Sequence, residues 1–273
     1  MSGDRTWLFV PAKEKYRDKI ESIEADNLIL DLEDSLTQEQ KEPGLKLVSD
    51  LVEKYGSRRK IYVRVNSGRR MDKELKALAF HSFSGYVVPK FEDTQILEEY
   101  RELIKEKQVI ALVESIRGVI FLEQAAAHPL ITGLAFGGED FCRDLGYGAG
   151  EEAACYARSK MVLYGAYHRK ETLDTVSFEF RDKERFLGEY EKSKRMGFTG
   201  KLLIHPRQAE AVREYGSAGE IKRLRHIVEV FRSSADGVVQ IDGKWYEKPH
   251  IEKIESYLHS LEGETKHESR KAK

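Results

Sequence analysis

Short apolar runs rich in Val, Ile, Leu and Phe recur along the chain, separated by longer, charged, amphipathic segments. The runs are Trp7–Pro11, Leu28–Leu32, Ile61–Val65, Tyr86–Pro89, Val109–Val113, Leu134–Phe136, Val176–Phe180 and Leu202–Ile204. They are near-continuous rather than alternating, as a parallel strand covered on both faces requires. A helix-like stretch follows each one. Eight strand–helix units predict an α/β fold closed into a (β/α)₈ TIM barrel rather than an open sheet.

The helical segments differ in kind. Asp93–Lys107 carries Ile96, Leu97, Tyr100, Leu103 and Ile104 on one stripe, with charges elsewhere. Asp182–Met196 is highly charged but keeps Phe186, Leu187 and Tyr190 on one side, and Pro206 suits a first helical turn. The pattern then changes. Ala218–Ser233 reads as a helix, Gly237–Glu247 as a hairpin turned at Asp242-Gly243, and Pro249–His259 as a final helix. The expected organisation is a barrel over residues 1–216, a helix–hairpin–helix extension over 217–261, and a frayed tail over 262–273. The extension reads either as a packing clasp or as a flap over an active site. No internal repeat or low-complexity linker interrupts the chain.

Composition narrows the function classes. The chain has 273 residues, near the ~250 typical of such a barrel. Its net charge of −1 offers no basic excess to follow a phosphate backbone, so nucleic acid is not an expected partner. No apolar stretch approaches the ~20 residues of a membrane helix. Cys142 and Cys155 form no CxxC pair and read as reduced thiols, and MSGDRTWLFV is unlike a signal peptide. The expected setting is cytoplasmic.

In a TIM barrel the active site lies at the C-terminal ends of the strands. Those ends read Asp31-Leu32-Glu33-Asp34, Arg64-Val65-Asn66, Pro89-Lys90, Glu114-Ser115, Gly137-Gly138-Glu139-Asp140 and His205-Pro206. Carboxylates on different strands, without a cysteine or histidine cluster, suit a hard, oxygen-preferring cation such as Mg²⁺. Glu114 and Asp140 are the candidate ligands, and Gly137-Gly138 lets backbone approach a ligand closely. Taken singly, each carboxylate also fits a helix N-cap. Arg64 either neutralises the acids or binds a substrate carboxylate or developing oxyanion through its planar fork. Lys90 reads as a Schiff-base lysine or as a structural ion pair. His205 reads as a metal ligand or as a histidine bonded to backbone.

The strings Leu30-Asp31-Leu32-Glu33-Asp34, Val63-Arg64-Val65-Asn66, Pro89-Lys90, Leu112-Val113-Glu114-Ser115, Gly138-Glu139-Asp140 and Gly200-Lys201-Leu202-Leu203-Ile204-His205-Pro206 together resemble the HpcH/HpaI aldolase and citrate lyase β-subunit family. The resemblance runs from Trp7 to Gln208 and resumes at Asp242-Gly243-Lys244 and Glu247-Lys248-Pro249. It implies a Mg²⁺-binding TIM barrel, with Mn²⁺ as the alternative ion, assembled as a homo-oligomer, a trimer or hexamer. Glu114 and Asp140 fall on the family's metal ligands. Arg64 falls on its substrate-binding arginine, with Asn66 and Gly138 also at the substrate, and Glu33 and Asp34 on the acidic pair that orders metal-bound water. Glu247 stands where acyl-CoA lyases of this kind carry a C-terminal acid/base aspartate.

The expected function is therefore a Mg²⁺-dependent carbon–carbon lyase. Its substrate would be a 3-hydroxy-acyl-CoA of the citryl-, citramalyl- or malyl-CoA type, with CoA as part of that small molecule. The alternatives are an aldolase for free 4-hydroxy-2-oxo acids and a catalytically silent binding subunit. Three departures point to a divergent branch. Pro11-Ala12-Lys13-Glu14-Lys15 stands for the family's Pro-Gly/Ala-x-Arg-Pro, Ile20 for a lysine of the CoA region with Lys19 one position early, and Glu179 for a usual aspartate.

Overall fold

Eight short parallel strands hydrogen-bond in sequence order and close on themselves, β1 pairing with β8 through Trp7↔Leu202. They are β1 (Thr6–Pro11), β2 (Asn27–Asp31), β3 (Ile61–Arg64), β4 (Gly85–Val88), β5 (Gln108–Val113), β6 (Ile131–Phe136), β7 (Glu171–Asp174) and β8 (Gly200–Leu203). This computed structural model describes residues 6–146, 151–215, 220–234, 236–241 and 243–271. The chain divides into two compact units, Met1–Val212 and Arg213–Lys273.

The barrel interior follows from strand periodicity. Trp7, Ile29, Tyr62, Val87, Ile110, Leu112, Ala135, Leu173 and Leu202 form one buried cluster to which every strand contributes. Only the inside of a closed barrel brings eight strands to one cluster, so these residues mark the inward phase. Successive residues of a strand point to opposite faces. Two positions beyond Ile29, Tyr62 and Leu112 lie Asp31, Arg64 and Glu114. The inward phase thus turns from apolar to charged at the strands' C-terminal ends.

The surrounding helices are α1 (Lys41–Tyr55), α2 (Arg69–Leu78), α3 (Gln95–Glu99), α4 (Arg101–Ile104), α5 (Ile116–Ile120), α6 (Leu122–Ala127), α7 (Gly138–Leu145), α8 (Glu151–His168), α9 (Lys183–Met196) and α10 (Pro206–Glu214). Helix α1 shows why such segments settle on the barrel. Leu45, Leu47, Val48, Leu51, Val52 and Tyr55 are buried while Lys46, Glu53 and Lys54 face solvent. Asp182 caps α9 by accepting the Arg185 N–H, and Gly197 ends it in the left-handed region at φ 101°. Cys142 and Cys155 are both free.

Two elements differ from expectation. The seventh strand is Glu171–Asp174, not Val176–Phe180. Its Asp174 is fully buried, and it accepts from Arg158 at 2.8 and 2.7 Å, from Lys201 at 3.1 Å and from the Ser193 hydroxyl. Leu173 faces inward, so Asp174 and its partners fill the layer between strands and helices. Buried charge there disguises the strand. Val176 packs against the barrel core, whereas Phe178 is exposed and no ladder forms. The expected Asp93–Lys107 helix is broken at Tyr100 (φ −106°, ψ 14°) into α3 and α4, although Leu97 and Ile104 remain buried.

The second unit contains α11 (Glu220–Ser233), an antiparallel pair β9 (Val238–Ile241) and β10 (Lys244–Glu247), and α12 (Lys248–Lys271). Ile227, Val228 and Ile251 form its core, flanked by Leu224, Phe231, Ile241, Tyr246, Ile254 and Leu258. Gly243 takes the positive φ of 74° that the hairpin turn needs; Asp242 lies outside the described residues. Helix α12 runs to Lys271. Among the described residues, no helix is long and apolar enough to cross a membrane.

Candidate active site

Asp31 and Arg64 end the adjacent strands β2 and β3 in register, so their inward side chains meet. Arg64 donates from Nε to Asp31 Oδ1 and from Nη2 to Oδ2, both at 2.7 Å. Asp31 also accepts the N–H groups of Glu33 and Ser35. Burial pushes its carboxyl up, but the Arg64 guanidinium outweighs that and leaves it below the ordinary carboxylate value. Arg64 Nη1 lies 3.1 Å from Glu33 Oε2 and 3.4 Å from Asp34 Oδ2, and its plane sits over the Phe9 ring at 4.7 Å. One of the two Nη2 N–H groups is given to Asp31, so the fork is locked by a carboxylate while charge still faces the barrel mouth.

Glu33 is buried and bridges two cations. Its Oε1 lies 2.9 Å from Lys90 Nζ. Burial raises its pKa, against the pull of Arg64 and Lys90. Lys90 follows β4 with φ 51°, in a region uncommon for a side chain larger than Gly. That backbone turns its N–H onto Glu114 Oε1 at 2.7 Å. Of the two readings of Lys90, the structure shows the ion pair.

Glu114 stands directly after β5 and is 5% exposed. Its carboxyl is pushed up to about 7, chiefly by burial and also by Glu33 and Asp140, against the pull of the Lys90 N–H and Arg64. Gly137, which follows β6, packs against it: a Cβ there would stand 2.5 Å from Glu114 Cβ and 2.7 Å from its Oε2. Asp140 lies in the first turn of α7, where the helix dipole favours a carboxylate, and pairs with Arg143. Neither is a helix cap. Ser115 caps α5, and the cap position of α7 is Gly137. Among the described residues, no group of three His, Cys, Asp or Glu side chains is placed to hold a metal.

Other expected residues are placed differently. Asn66 is buried and its amide faces the protein: Nδ2 donates to Leu32 O and Glu74, and Oδ1 accepts from Lys41. The Gly138 N–H goes to Thr175 Oγ1 at 3.0 Å, and a side chain at Gly138 would collide with that threonine. His205 stacks on Phe180, and its Nδ1 accepts the Arg207 N–H. Ile20 is fully buried, and Lys201 is committed to Asp174. Glu179 pairs with Arg185. Glu247 ends β10 in the second unit, its N–H donating to His250 Nδ1. Asp31, Lys41 and Glu74 also join the cluster of Arg64 and Asn66, without a role expected from the sequence. For Asp31 a signal existed: a charge in the inward phase of an otherwise apolar strand.

Residues 5–206 match the family described as HpcH/HpaI aldolase/citrate lyase. A (3S)-malyl-CoA thioesterase of Cereibacter sphaeroides (strain KD131 / KCTC 12085) is 32% identical over 262 residues, covering 90% of this chain and 90% of that one. A mitochondrial citramalyl-CoA lyase of Mus musculus is 29% identical, covering 77% of this chain and 70% of its own. The crystal structure of the CitE protein from Mycobacterium tuberculosis in complex with magnesium, acetoacetate and coenzyme A aligns with a TM-score of 0.78 at 28% identity. That match covers 94% of this chain and 98% of the other.

Proposed function

Because the chain belongs to the HpcH/HpaI aldolase/citrate lyase family, we propose that it is a Mg²⁺-dependent carbon–carbon lyase acting on a 3-hydroxy-acyl-CoA thioester of the citryl-, citramalyl- or malyl-CoA type. One observation carries the reading. Glu114, sharing its electrostatic surroundings with Arg64, Glu33 and Asp140, sits where the barrel's inward phase ceases to be apolar.

The residues fit a hard cation. Glu114 is a buried carboxylate whose ionised form lacks sufficient positive charge, and Gly137 opens the space beside it. Glu114 and Asp140 would hold Mg²⁺, or Mn²⁺ in its place, with Glu33 and Asp34 ordering its water. The bound cation supplies Lewis-acid polarisation of the oxo-acid half. In the cleavage direction a base takes the substrate hydroxyl proton and the carbon–carbon bond breaks. The electron pair passes to the acyl-CoA half as an enolate, which is reprotonated at carbon. Arg64, oriented by Asp31, offers its charge to the substrate carboxylate or developing oxyanion. Asn66 and Gly138, their polar groups committed to Lys41, Leu32, Glu74 and Thr175, would shape the substrate's side of the site through the turns that carry them, and Glu247 is the candidate acid/base. A cytoplasmic homo-oligomer, trimer or hexamer, belongs to the same reading; mass photometry tests it.

The name of the Cereibacter relative favours a second reading, hydrolysis of the thioester. Products separate the two. Incubation of malyl-CoA or citramalyl-CoA with the protein and Mg²⁺ yields acetyl-CoA with glyoxylate or pyruvate under the first reading. Free CoA with malate or citramalate marks the second. Loss of turnover in Glu114→Ala is expected under the first, and neither product set sinks both.

A further inference from the structure

Lys41 is the first residue of α1 and is 6% exposed. A cation is unfavourable at a helix N-terminus and costly to bury. Its three ammonium hydrogens nonetheless meet three acceptors, Leu32 O at 2.8 Å, Glu33 O at 2.5 Å and Asn66 Oδ1 at 2.7 Å. All three are neutral. The charged groups around it, Asp31, Glu74, Glu33 and Asp34, act on it only at longer range.

The acceptors share one property: they lie on the two turns that carry the acid–arginine cluster. Leu32 and Glu33 follow β2, and Asn66 stands two residues after Arg64. Asn66 reinforces the tie by donating to Leu32 O, and Glu74 on α2 holds both its backbone N–H and its amide. One ammonium therefore sets the spacing between the turn bearing Glu33 and the strand end bearing Arg64. A compact, three-donor cation fits this geometry, whereas a planar guanidinium or an apolar chain does not.

Resting on the lyase reading above, we infer that Lys41 is a positioning residue of the active site, fixing Glu33 against Arg64 where the substrate's oxo-acid half binds. It does so without touching the metal ligands. The inference predicts a split between two affinities that loss of fold cannot produce.

The test is calorimetric titration of the full chain, first with Mg²⁺ and then with acetoacetate at saturating Mg²⁺. Wild type binds both; failure of wild type to bind acetoacetate overturns the underlying reading and this inference with it. In Lys41→Met, acetoacetate binding weakens about tenfold or more, while Mg²⁺ affinity falls by clearly less, since Glu33 would reach the cation only through water. Unchanged acetoacetate affinity in a folded Lys41→Met protein overturns the inference alone, as does parallel loss of both affinities. Should Lys41→Met fail to fold, Glu74→Gln, which keeps the shape and weakens the anchor of Asn66, must show the same split. Its absence there is equally decisive against the proposal.

Discussion

Replacing Glu114 by Gln should stabilise the metal-free protein at neutral and higher pH while abolishing the stabilisation that Mg²⁺ provides. The carboxyl of Glu114 is raised from its ordinary 4.5 to about 7, chiefly by desolvation. A carboxyl whose folded value exceeds its unfolded one contributes stability that is full below the unfolded value and is lost as pH rises through the folded one. The window here is about pH 4.5 to 7, and the difference corresponds to ~3 kcal/mol once the group is fully ionised. Gln carries no charge and keeps an acceptor for the Lys90 N–H. In urea unfolding with a chelator present, Glu114→Gln should therefore exceed wild type by up to ~3 kcal/mol at about pH 8, the gap closing towards pH 5. With Mg²⁺ at about a thousand times its Kd the order should reverse, since wild type gains ~4.1 kcal/mol and the variant gains none. A difference that stays flat across this range, or a variant less stable than wild type at pH 8 in chelator, refutes the account of Glu114 as a carboxylate awaiting a cation.

Asp174→Ala should cost ~3–5 kcal/mol in urea unfolding, because Arg158 and Lys201 are left buried without their carboxylate; a loss below ~1 kcal/mol sinks that view of the network. Burial raises the Asp174 carboxyl, but Lys201 and Arg158 outweigh it and hold it below its ordinary 3.8. Its stabilisation is thus present above that value and lost as pH falls below it, so the variant should show a weaker acid dependence than wild type. Gly137→Ala should weaken Mg²⁺ binding about tenfold and lower stability by ~1–3 kcal/mol, since the new methyl collides with Glu114; calorimetry with unchanged Mg²⁺ affinity contradicts it. Arg64→Lys removes the two-pronged bond to Asp31 and should lower kcat about a hundredfold with the circular dichroism spectrum unchanged; near-wild-type turnover would show that the fork has no part in the chemistry.

Much of this architecture was legible because barrel strands announce themselves by uninterrupted apolarity, and seven of the eight expected runs overlap observed strands. The exception is instructive. Glu171–Asp174 carries more charge than the apolar run Val176–Phe180 after it, yet is the more deeply buried, because Asp174 meets Arg158, Lys201 and Ser193 from three other elements. Hydropathy reads a residue by its own chemistry; burial depends on the company that tertiary structure supplies. The same limit divides the active site. Arg64, Glu114 and Asp140 were visible as charges at the ends of apolar runs. Lys41 and Glu74 were not, since each sits among ordinary surface charges of a helix and acquires its meaning only when β2 and β3 come side by side. Asp31 lies between these cases. Its charge breaks the inward phase of a buried strand, and phase is readable before any contact is known. A charged residue in the inward register of a barrel strand must either meet a partner across the barrel or face a ligand at its mouth, and Asp31, Arg64 and Glu114 occupy that register together. Their common phase therefore points to a site more specifically than any one of the carboxylates does alone.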